Sequence, residues 1–359
     1  MADAEQFQEY HSYLLKKVIF IIVISSITFI LFLYSLSLGY MNMGIVETFQ
    51  YIVNHIMGVT YEPGTRDWFC DYIIFNRNMP ESTFAIIAGA SLAVAGVAMQ
   101  SVMNNPLADA YTTGISSGAC LGVAIAMVLG FSVFDGGLGS RLGIVTNAFI
   151  FSIIPMMMIL MVSKKLDQSP TSLILAGTAI SFFFNAFTMA IMLVATDQEL
   201  GAVYSWQVGH IGGTTWSSIP FMAVVSVIGI ILISLFAKKL NIMSSGDNSA
   251  KALGLDIETL RTICLLIMSL MVASVIAYAG IIGFVGLVCP HIVRTIIDAD
   301  NRYVIPASAV LGAMMLIGAM IISETLATPA LKVPIGVVLS FIGAPIFLFL
   351  IVRRKSNVW

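Results

Sequence analysis

Long runs of apolar residues limit what this chain can fold into more than any other feature. A helix that crosses a membrane needs roughly 20 mainly apolar residues. Charged residues make up only 10% of the 359 residues, whereas an ordinary soluble domain has about 25%, so the chain cannot cover a water-facing surface. The sequence therefore predicts an all-α integral membrane protein with ten spans, near residues 18–38, 82–103, 113–131, 144–163, 171–195, 217–237, 261–280, 282–297, 304–323 and 334–352.

The short eighth run leaves a count of nine spans open, and the positions of the cations favour ten. Lys and Arg concentrate in the cytoplasmic segments of membrane proteins. With ten spans and the N-terminus inside, few of the 17 cations lie outside, and with nine the cluster Arg353–Lys355 would also move outside. We predict one transmembrane domain over 18–352 in the cytoplasmic membrane, with an outer loop at 39–81, an inner loop at 238–261, and cytoplasmic ends at 1–17 and 353–359. The outside cations are Arg66, Arg77, Arg141 and Lys332.

The spans carry almost no ionisable side chain, whereas ion-coupled transporters usually hold some at membrane depth. Spans two to five and seven to ten form two groups that enter from opposite sides, as inverted repeats do. Gly89, Ala93 and Gly96 are expected to let helices approach closely. The net charge of −2 argues against nucleic acid as a partner, and the cysteines show no metal-binding spacing.

The first polar motif follows span two. Asn105-Pro106 is expected to end the helix, because proline lacks an N–H and disfavours a helical predecessor. Gln100, Asn104 and Asn105 would then lie on irregular backbone, which a membrane tolerates only inside protein or along a wet cavity.

The second and third motifs are rich in glycine and proline. Gly280 to Arg294 is expected to be a glycine-rich helix that ends at the inner surface, with His291 capping a helix end rather than acting in catalysis. Pro334 opens the last span, where proline is tolerated in the first turn, and Gly343-Ala344-Pro345 is expected to interrupt it. The motif positions are Gly283, Gly286, Pro290, His291, Arg294, Pro334, Gly336, Gly343 and Pro345.

The fourth motif lies in the inner loop 238–261. The spacing of Gly246, Ala250, Leu253 and Gly254 indicates a short helix that ends at a glycine, with Ser245 or Asp247 as a cap. A solvated loop and a docking element for a cytoplasmic subunit both fit this pattern.

In this order, and from about Val18 to Arg353, these motifs resemble the FecCD family of ABC-importer permeases. The resemblance is carried by NPLA at 105–108, GFVGLVCPHIVR at 283–294, PIGVVLSFIGAPIF at 334–347, and Trp206 to Gly209, which is similar to the family's WxxG segment.

The resemblance implies a type II importer with ten spans per subunit, a homodimer around one pathway, two cytoplasmic P-loop ATPase subunits and an extracytoplasmic substrate-binding protein. Gly246 to Gly254 would be the coupling helix, and spans five and ten would line the pathway. This chain has no GxxxxGK[ST] stretch, so ATP and Mg are expected on the partner, with no catalytic residue, metal or cofactor here. The inner gate would comprise Ser169, Pro170, Thr171 and Ser172.

One departure from the family concerns the outer face. Members often carry RxPR before span two and a basic residue before span ten, and these arginines pair with glutamates of the binding protein. Here Glu81 holds the second Arg position and the later one falls near Glu324 or Thr325, while Arg77 is expected to replace the missing arginine in part. We predict either a binding protein with Lys or Arg at the matching sites, since complementary charge selects partners, or plain solvated charges.

The resemblance predicts an importer of a siderophore-bound iron, haem or corrinoid, and oxyanion permeases share the motifs. An ion-coupled secondary carrier remains an alternative, as does an intramembrane enzyme, although no HExxH, GxSxG or paired in-span aspartates are present.

Overall fold

The computed structural model describes residues 2–39, 41, 43–133, 140–163, 169–328 and 333–353. The predictions for Lys332, Arg354, Lys355 and the rest of the tail 354–359 therefore lie outside the described residues. The α-helices are α1 (Ala2–Ser35), α2 (Ile45–Ile56), α3 (Arg66–Ile73), α4 (Met79–Val102), α5 (Ile115–Val128), α6 (Arg141–Ser163), α7 (Pro170–Met192), α8 (Asp197–Gln207), α9 (Ile219–Leu235), α10 (Ala237–Met243), α11 (Asp247–Ala252), α12 (Ile257–Ala279), α13 (Val285–Ile297), α14 (Asn301–Leu326) and α15 (Ile335–Arg353).

The prediction of an all-α membrane protein is confirmed. Seven helical segments of the described residues are long and apolar enough to cross a membrane, and one of them runs without a break from α3 through a π-helical turn (Ile74–Asn78) into α4. Three predicted spans correspond to the shorter apolar helices α5, α13 and α15. At 1.5 Å per residue, α13 is about 20 Å long, which is too short to cross a hydrocarbon core of about 30 Å by itself.

The core is organised around α4. In the apolar stretch that includes α4, 78% of the residues are buried, against 11% in that of α1. The reason is that α4 lies among α9, α12, α13 and α14, while α1 faces outward. A Cβ added to Gly89 would overlap the backbone of Gly312 on α14, and one added to Gly96 would overlap the backbone of Gly286 on α13. The small residues therefore permit close helix contacts, as predicted.

We name the two ends of the bundle after the predicted orientation. The inner end holds α10, α11, the C-terminus of α4 and the N-termini of α12 and α14. The outer end holds α2, α3, α8 and the N-terminus of α4. At each end, hydrogen bonds join segments that are distant in sequence. Arg261 donates to the Val102 carbonyl at the inner end, and the Gly213 N–H donates to Glu81 at the outer end.

Candidate functional site: a coupling platform and a glycine junction

The inner end carries a surface that we call the coupling platform, made of α10 and α11. The predicted short helix is present as α11, and Gly246 and Gly254 on either side have positive φ angles of +94° and +78°, which glycine adopts without strain. Leu253 is 70% exposed and Ala250 is fully buried. Of the predicted coupling residues, Leu253 therefore faces outward, while Ala250 anchors α11 to the bundle.

The predicted cap of α11 is wrong. Its N-cap is Gly246, and no side chain caps the helix. Asp247 instead accepts hydrogen bonds from Arg261 of α12, with Nη2 at 2.8 Å and 3.0 Å from its two carboxylate oxygens. The Arg261 side chain is 3% exposed, so this ion pair is buried on the arginine side. Sequence reasoning missed Arg261, although a lone arginine at the start of an apolar span was the signal.

The Asn105-Pro106 motif lies beside the platform. As predicted, the helix ends before it: α4 stops at Val102, and Asn104 has a left-handed φ of +45°. The Asn104 side-chain amide lies 3.9 Å from where a Cβ of Gly246 would be, and the Asn105 N–H donates to the Gln100 carbonyl at 3.0 Å. Gln100 itself lies within regular helix, which corrects its predicted place on irregular backbone.

A buried polar network joins the platform to the bundle interior. Asn241 of α10 donates to Asp300 and accepts from the Asn301 N–H, both at 2.8 Å. Arg294 donates to Gln100 and, at 3.4 Å, to Asn301. Gln100 continues the network by donating to the Leu287 carbonyl at 3.2 Å. Arg294, predicted to end a helix at the inner surface, is instead buried and joins α13 to α4.

Asp300 is the titratable group of this network that lies outside the spans. Burial alone raises the pKa of its carboxyl, but hydrogen bonds from Arg302 and Asn241 outweigh burial and lower the pKa to about 2. Asp300 is therefore ionised at every physiological pH, and Asn241 of α10 remains bonded to a charged acceptor.

The second motif is not a continuous glycine-rich helix. α12 ends at Ala279, and Gly280 to Phe284 form a non-helical turn in which Phe284 has a φ of +70°. α13 starts only at Val285 and continues through Pro290 and His291. The prediction that His291 caps a helix end is wrong, because the residue lies in mid-helix and is 9% exposed.

This turn meets two other motif segments at what we call the glycine junction: Val208, Gly209, Gly280 to Phe284, and Gly336. The His210 N–H donates to the Ala279 carbonyl at 2.8 Å, and the Gly336 N–H donates to the Gly209 carbonyl at 3.3 Å. Added Cβ atoms on Gly209, Gly280 or Gly336 would overlap backbone of a neighbouring segment. Glycine is required here because three stretches of backbone touch one another.

The last span is not interrupted at Gly343-Ala344-Pro345, which corrects the prediction. α15 continues from Ile335 to Arg353 with Pro345 inside it, and Pro334 precedes its first turn. Gly343 has a packing role instead, since a Cβ there would overlap the side chain of Phe284. Gly283, predicted as a motif position, lines an open cavity of about 490 Å³ beside the junction, together with Gln207, Ile281, Ser340 and Phe341.

The four predicted gate residues form the N-terminus of α7. Ser169 is the N-cap and accepts from the Ser172 N–H at 3.2 Å, Pro170 is the first helical residue, and Thr171 is exposed. Helix capping alone accounts for these residue types. Their role as a gate remains a prediction.

Three charged residues form an outer ion cluster: Arg77, Glu81 and Glu324. Arg77 contacts Glu324 at 2.9 Å and Glu81 at 3.8 Å. Glu81 is 4% exposed and accepts from the Gly213 N–H at 2.7 Å. Glu81 is therefore not a plain solvated charge in this conformation, and its docking to a binding protein remains a prediction. The cluster lines an outer cavity of about 680 Å³.

Comparisons with known proteins agree with this architecture. The model of the FecCD transport family matches residues 27–353. A protein of Methanocaldococcus jannaschii named as an ABC transporter permease is 38% identical over 360 residues, covering 98% of this chain and 99% of that protein. The hemin transport system permease protein HmuU of Yersinia pestis is 34% identical over 286 residues, covering 80% of this chain and 85% of that protein.

The fold is also that of a solved transporter. The structure described as an inward-facing conformation of a metal-chelate type ABC transporter superposes with a TM-score of 0.79 at 24% identity, covering 93% of this chain and 99% of that one. The chain belongs to the FecCD transport family and is a membrane-spanning permease subunit of an ABC transporter, which is not itself an enzyme because ATP hydrolysis belongs to a separate subunit.

Proposed function

We propose that this permease moves a siderophore-bound iron, haem or corrinoid through the cytoplasmic membrane by alternating access, driven by ATP that a partner hydrolyses. The observation that carries the proposal is the coupling platform. An exposed apolar residue, Leu253, is the C-cap of the short helix α11. At the other end of α11, Asp247 is bonded to Arg261 of α12, which also donates to the Val102 carbonyl at the inner end of α4. A partner that moves α11 would therefore move the most buried helix of the bundle.

The proposed topology has ten crossings with both termini inside. Contacts at the inner end join the end of α4 to the start of α12, and α10 to the start of α14. Contacts at the outer end join the start of α4 to the end of α14, and the end of α12 to the segment after α8. These contacts support alternating directions for the helices and inverted entry of the two four-span groups.

The proposed assembly is a homodimer around one pathway, within lipid, with two cytoplasmic P-loop ATPase subunits that hold ATP and Mg. The 490 Å³ cavity supports a second copy, because it opens on the surface of the bundle. Its rim carries Gln207, Ser340 and the irregular backbone of the glycine junction, and such backbone is tolerated at membrane depth where protein buries it or where it lines a water-filled cavity. Two copies facing one another would enclose it as a pathway between their α15 helices.

A substrate-binding protein is proposed at the outer end, over the 680 Å³ cavity. Its basic side chains would meet Glu324, which is half-buried, rather than the enclosed Glu81. The cargo named for the Yersinia pestis relative is hemin, which supports a bulky metal chelate as cargo.

The experiment is purification of the tagged chain from its native membrane, followed by identification of the proteins that accompany it. We expect a P-loop ATPase and a binding protein, and we expect Leu253→Glu to lose the ATPase because a carboxylate would enter an apolar contact. Leu129→Glu is the matched control, since Leu129 is 54% exposed at the end of α5.

The alternative predicts different results in the same preparation. An ion-coupled carrier would purify without an ATPase and would move hemin, a ferric hydroxamate or cyanocobalamin into ATP-free vesicles that hold an ion gradient. ATP-dependent uptake of one of these probes, abolished in Leu253→Glu and retained in Leu129→Glu, would exclude that carrier.

A further inference from the structure

We propose that Arg261 is a positioning residue that fixes the coupling helix α11 to the inner end of α4, and that this buried clamp carries partner-driven movement into the bundle. The inference rests on the proposed function, since it requires an ATPase that acts on α11. It adds a route to that function, because Arg261 links α11 to α4, beyond the chain connections of α11, the packing of Ala250 and the exposed pair of Lys251 and Glu258.

The geometry of the clamp is the first argument. One guanidinium of α12 bonds to two other elements: Nη2 to both carboxylate oxygens of Asp247, the first residue of α11, and Nε to the Val102 carbonyl at 3.3 Å. Val102 is the last residue of α4, where the helix leaves carbonyl groups without helical partners. Arg261 therefore holds the start of one helix and the end of another with a single rigid group.

Burial is the second argument. The Arg261 side chain is 3% exposed, whereas that of Asp247 is 35% exposed. An ion pair that is shielded from solvent on one side is screened less by salt than an exposed one. The planar guanidinium of Arg261 also resists rotation. A clamp built this way transmits displacement, while a flexible solvated pair would absorb it.

The surroundings of the clamp are the third argument. The two segments are also close beside the ion pair: a Cβ placed on Gly246, just before α11, would lie 3.9 Å from the side-chain amide of Asn104, just after α4. α4 then contacts α9, α12, α13 and α14. Movement of α11 reaches four helices through α4, which is how one contact on the partner can tilt the bundle.

The test uses the complete complex with its native ATPase. A reporter cysteine is introduced as Ser323→Cys, which lines the outer cavity, against a background of four buried native cysteines. Its labelling rate with a membrane-impermeant maleimide is measured without nucleotide and after trapping with MgATP and vanadate. In the parent complex we expect the two rates to differ about tenfold, within the range of about 5- to 150-fold typical of coupling between sites.

Arg261→Lys keeps the charge but cannot hold Asp247 and Val102 together. We expect the two labelling rates to become equal within about twofold, while ATP hydrolysis continues. Asp247→Asn should act in the same direction, and the double variant should be no worse than either single one, because residues of one interaction are not additive. The matched control is Arg66→Lys, an exposed arginine paired to Glu47 at 2.7 Å outside the network of the platform, which should retain the tenfold difference.

Each other outcome has a meaning. Arg261→Lys with the parent's labelling difference would overturn the clamp and leave the proposed function intact. A fall in the permease's own Tm that accounts for the lost response would also overturn it, in favour of a purely structural role. Loss of the ATPase at an unchanged Tm would support the clamp, since α11 would then be displaced. A parent complex without an ATPase, or without any nucleotide response, would contradict the proposed function itself.

Discussion

Each end of this permease has an ion pair between an arginine and a carboxylate, and the two pairs differ in burial and in sequence separation. At the inner end, Arg261 is buried and its ion pair joins residues only 14 positions apart. At the outer end, Arg77 is 28% exposed on its side chain and pairs with Glu324, 247 positions away. The carboxylates differ little, since Asp247 is 35% exposed and Glu324 27%, so the contrast lies in the arginines. A pair is harder to break where one charge would be left buried than where water reaches both partners, so we expect the inner pair to hold and the outer pair to open more readily.

The largest expected effect comes from breaking the inner pair. Arg261→Met leaves Asp247 and the Val102 carbonyl without their donor. Because Asp247 is 35% exposed and water can solvate it, we expect a loss below the roughly 3–5 kcal/mol of a fully buried pair. Glu324→Gln at the outer end should cost about 0–1 kcal/mol. Thermal denaturation of the two purified variants checks the difference, and equal losses of stability would remove the contrast between the ends.

A smaller effect is expected within the outer cluster itself. Glu81→Leu leaves the Gly213 N–H without its acceptor, and an unsatisfied buried group costs about 1–3 kcal/mol. Glu324→Leu, at the more exposed position, serves as the matched control and should cost less. If both leucine variants denature at the same temperature, Glu81 is not the structural member of the cluster.

The pH dependence of the inner network is the third prediction. The pKa of Asp300 is lowered to about 2 in the folded chain, from about 3.9 in an unfolded one. Its stabilising effect is therefore fully present above about pH 4 and is lost as the pH falls towards about 2. The Tm of the parent should fall more steeply over this interval than that of Asp300→Asn, and parallel curves would contradict the lowered pKa.

The smallest effect is expected from salt. The Debye length falls from about 10 Å at 0.1 M to about 3 Å at 1 M, so the coupling between Arg77 and Glu324 should shrink at high salt while that between Arg261 and Asp247 persists. Double-mutant cycles of both pairs at the two salt concentrations measure this. A salt response of equal size in both pairs would mean that the inner pair is as hydrated as the outer one.

The sequence predicted the helical class, the membrane location, the end of α4 before Asn105-Pro106 and the short helix of the inner loop. These features depend on local composition or on the restricted backbone of proline, which a single chain displays directly. The prediction that Gly343-Ala344-Pro345 interrupts the last span failed: Pro345 lies inside α15, since membrane helices tolerate proline where neighbouring groups satisfy the freed backbone.

The partners of the charged residues were beyond the sequence. Glu81 looked like an outer-loop charge, yet it accepts a hydrogen bond from a backbone N–H 132 residues away. Asp247 looked like a helix cap, yet it binds Arg261.

By itself, then, the sequence determined that this chain lies in a membrane as helices, because apolar length and scarce charge leave no other way to satisfy its backbone. Tertiary structure alone decided which motifs meet. It brought the Trp206–Gly209, Gly280–Phe284 and Gly336 segments into one junction and linked α11 to the end of α4 through Arg261. Such contacts depend on how helices distant in sequence pack, and one chain's local pattern does not record that packing.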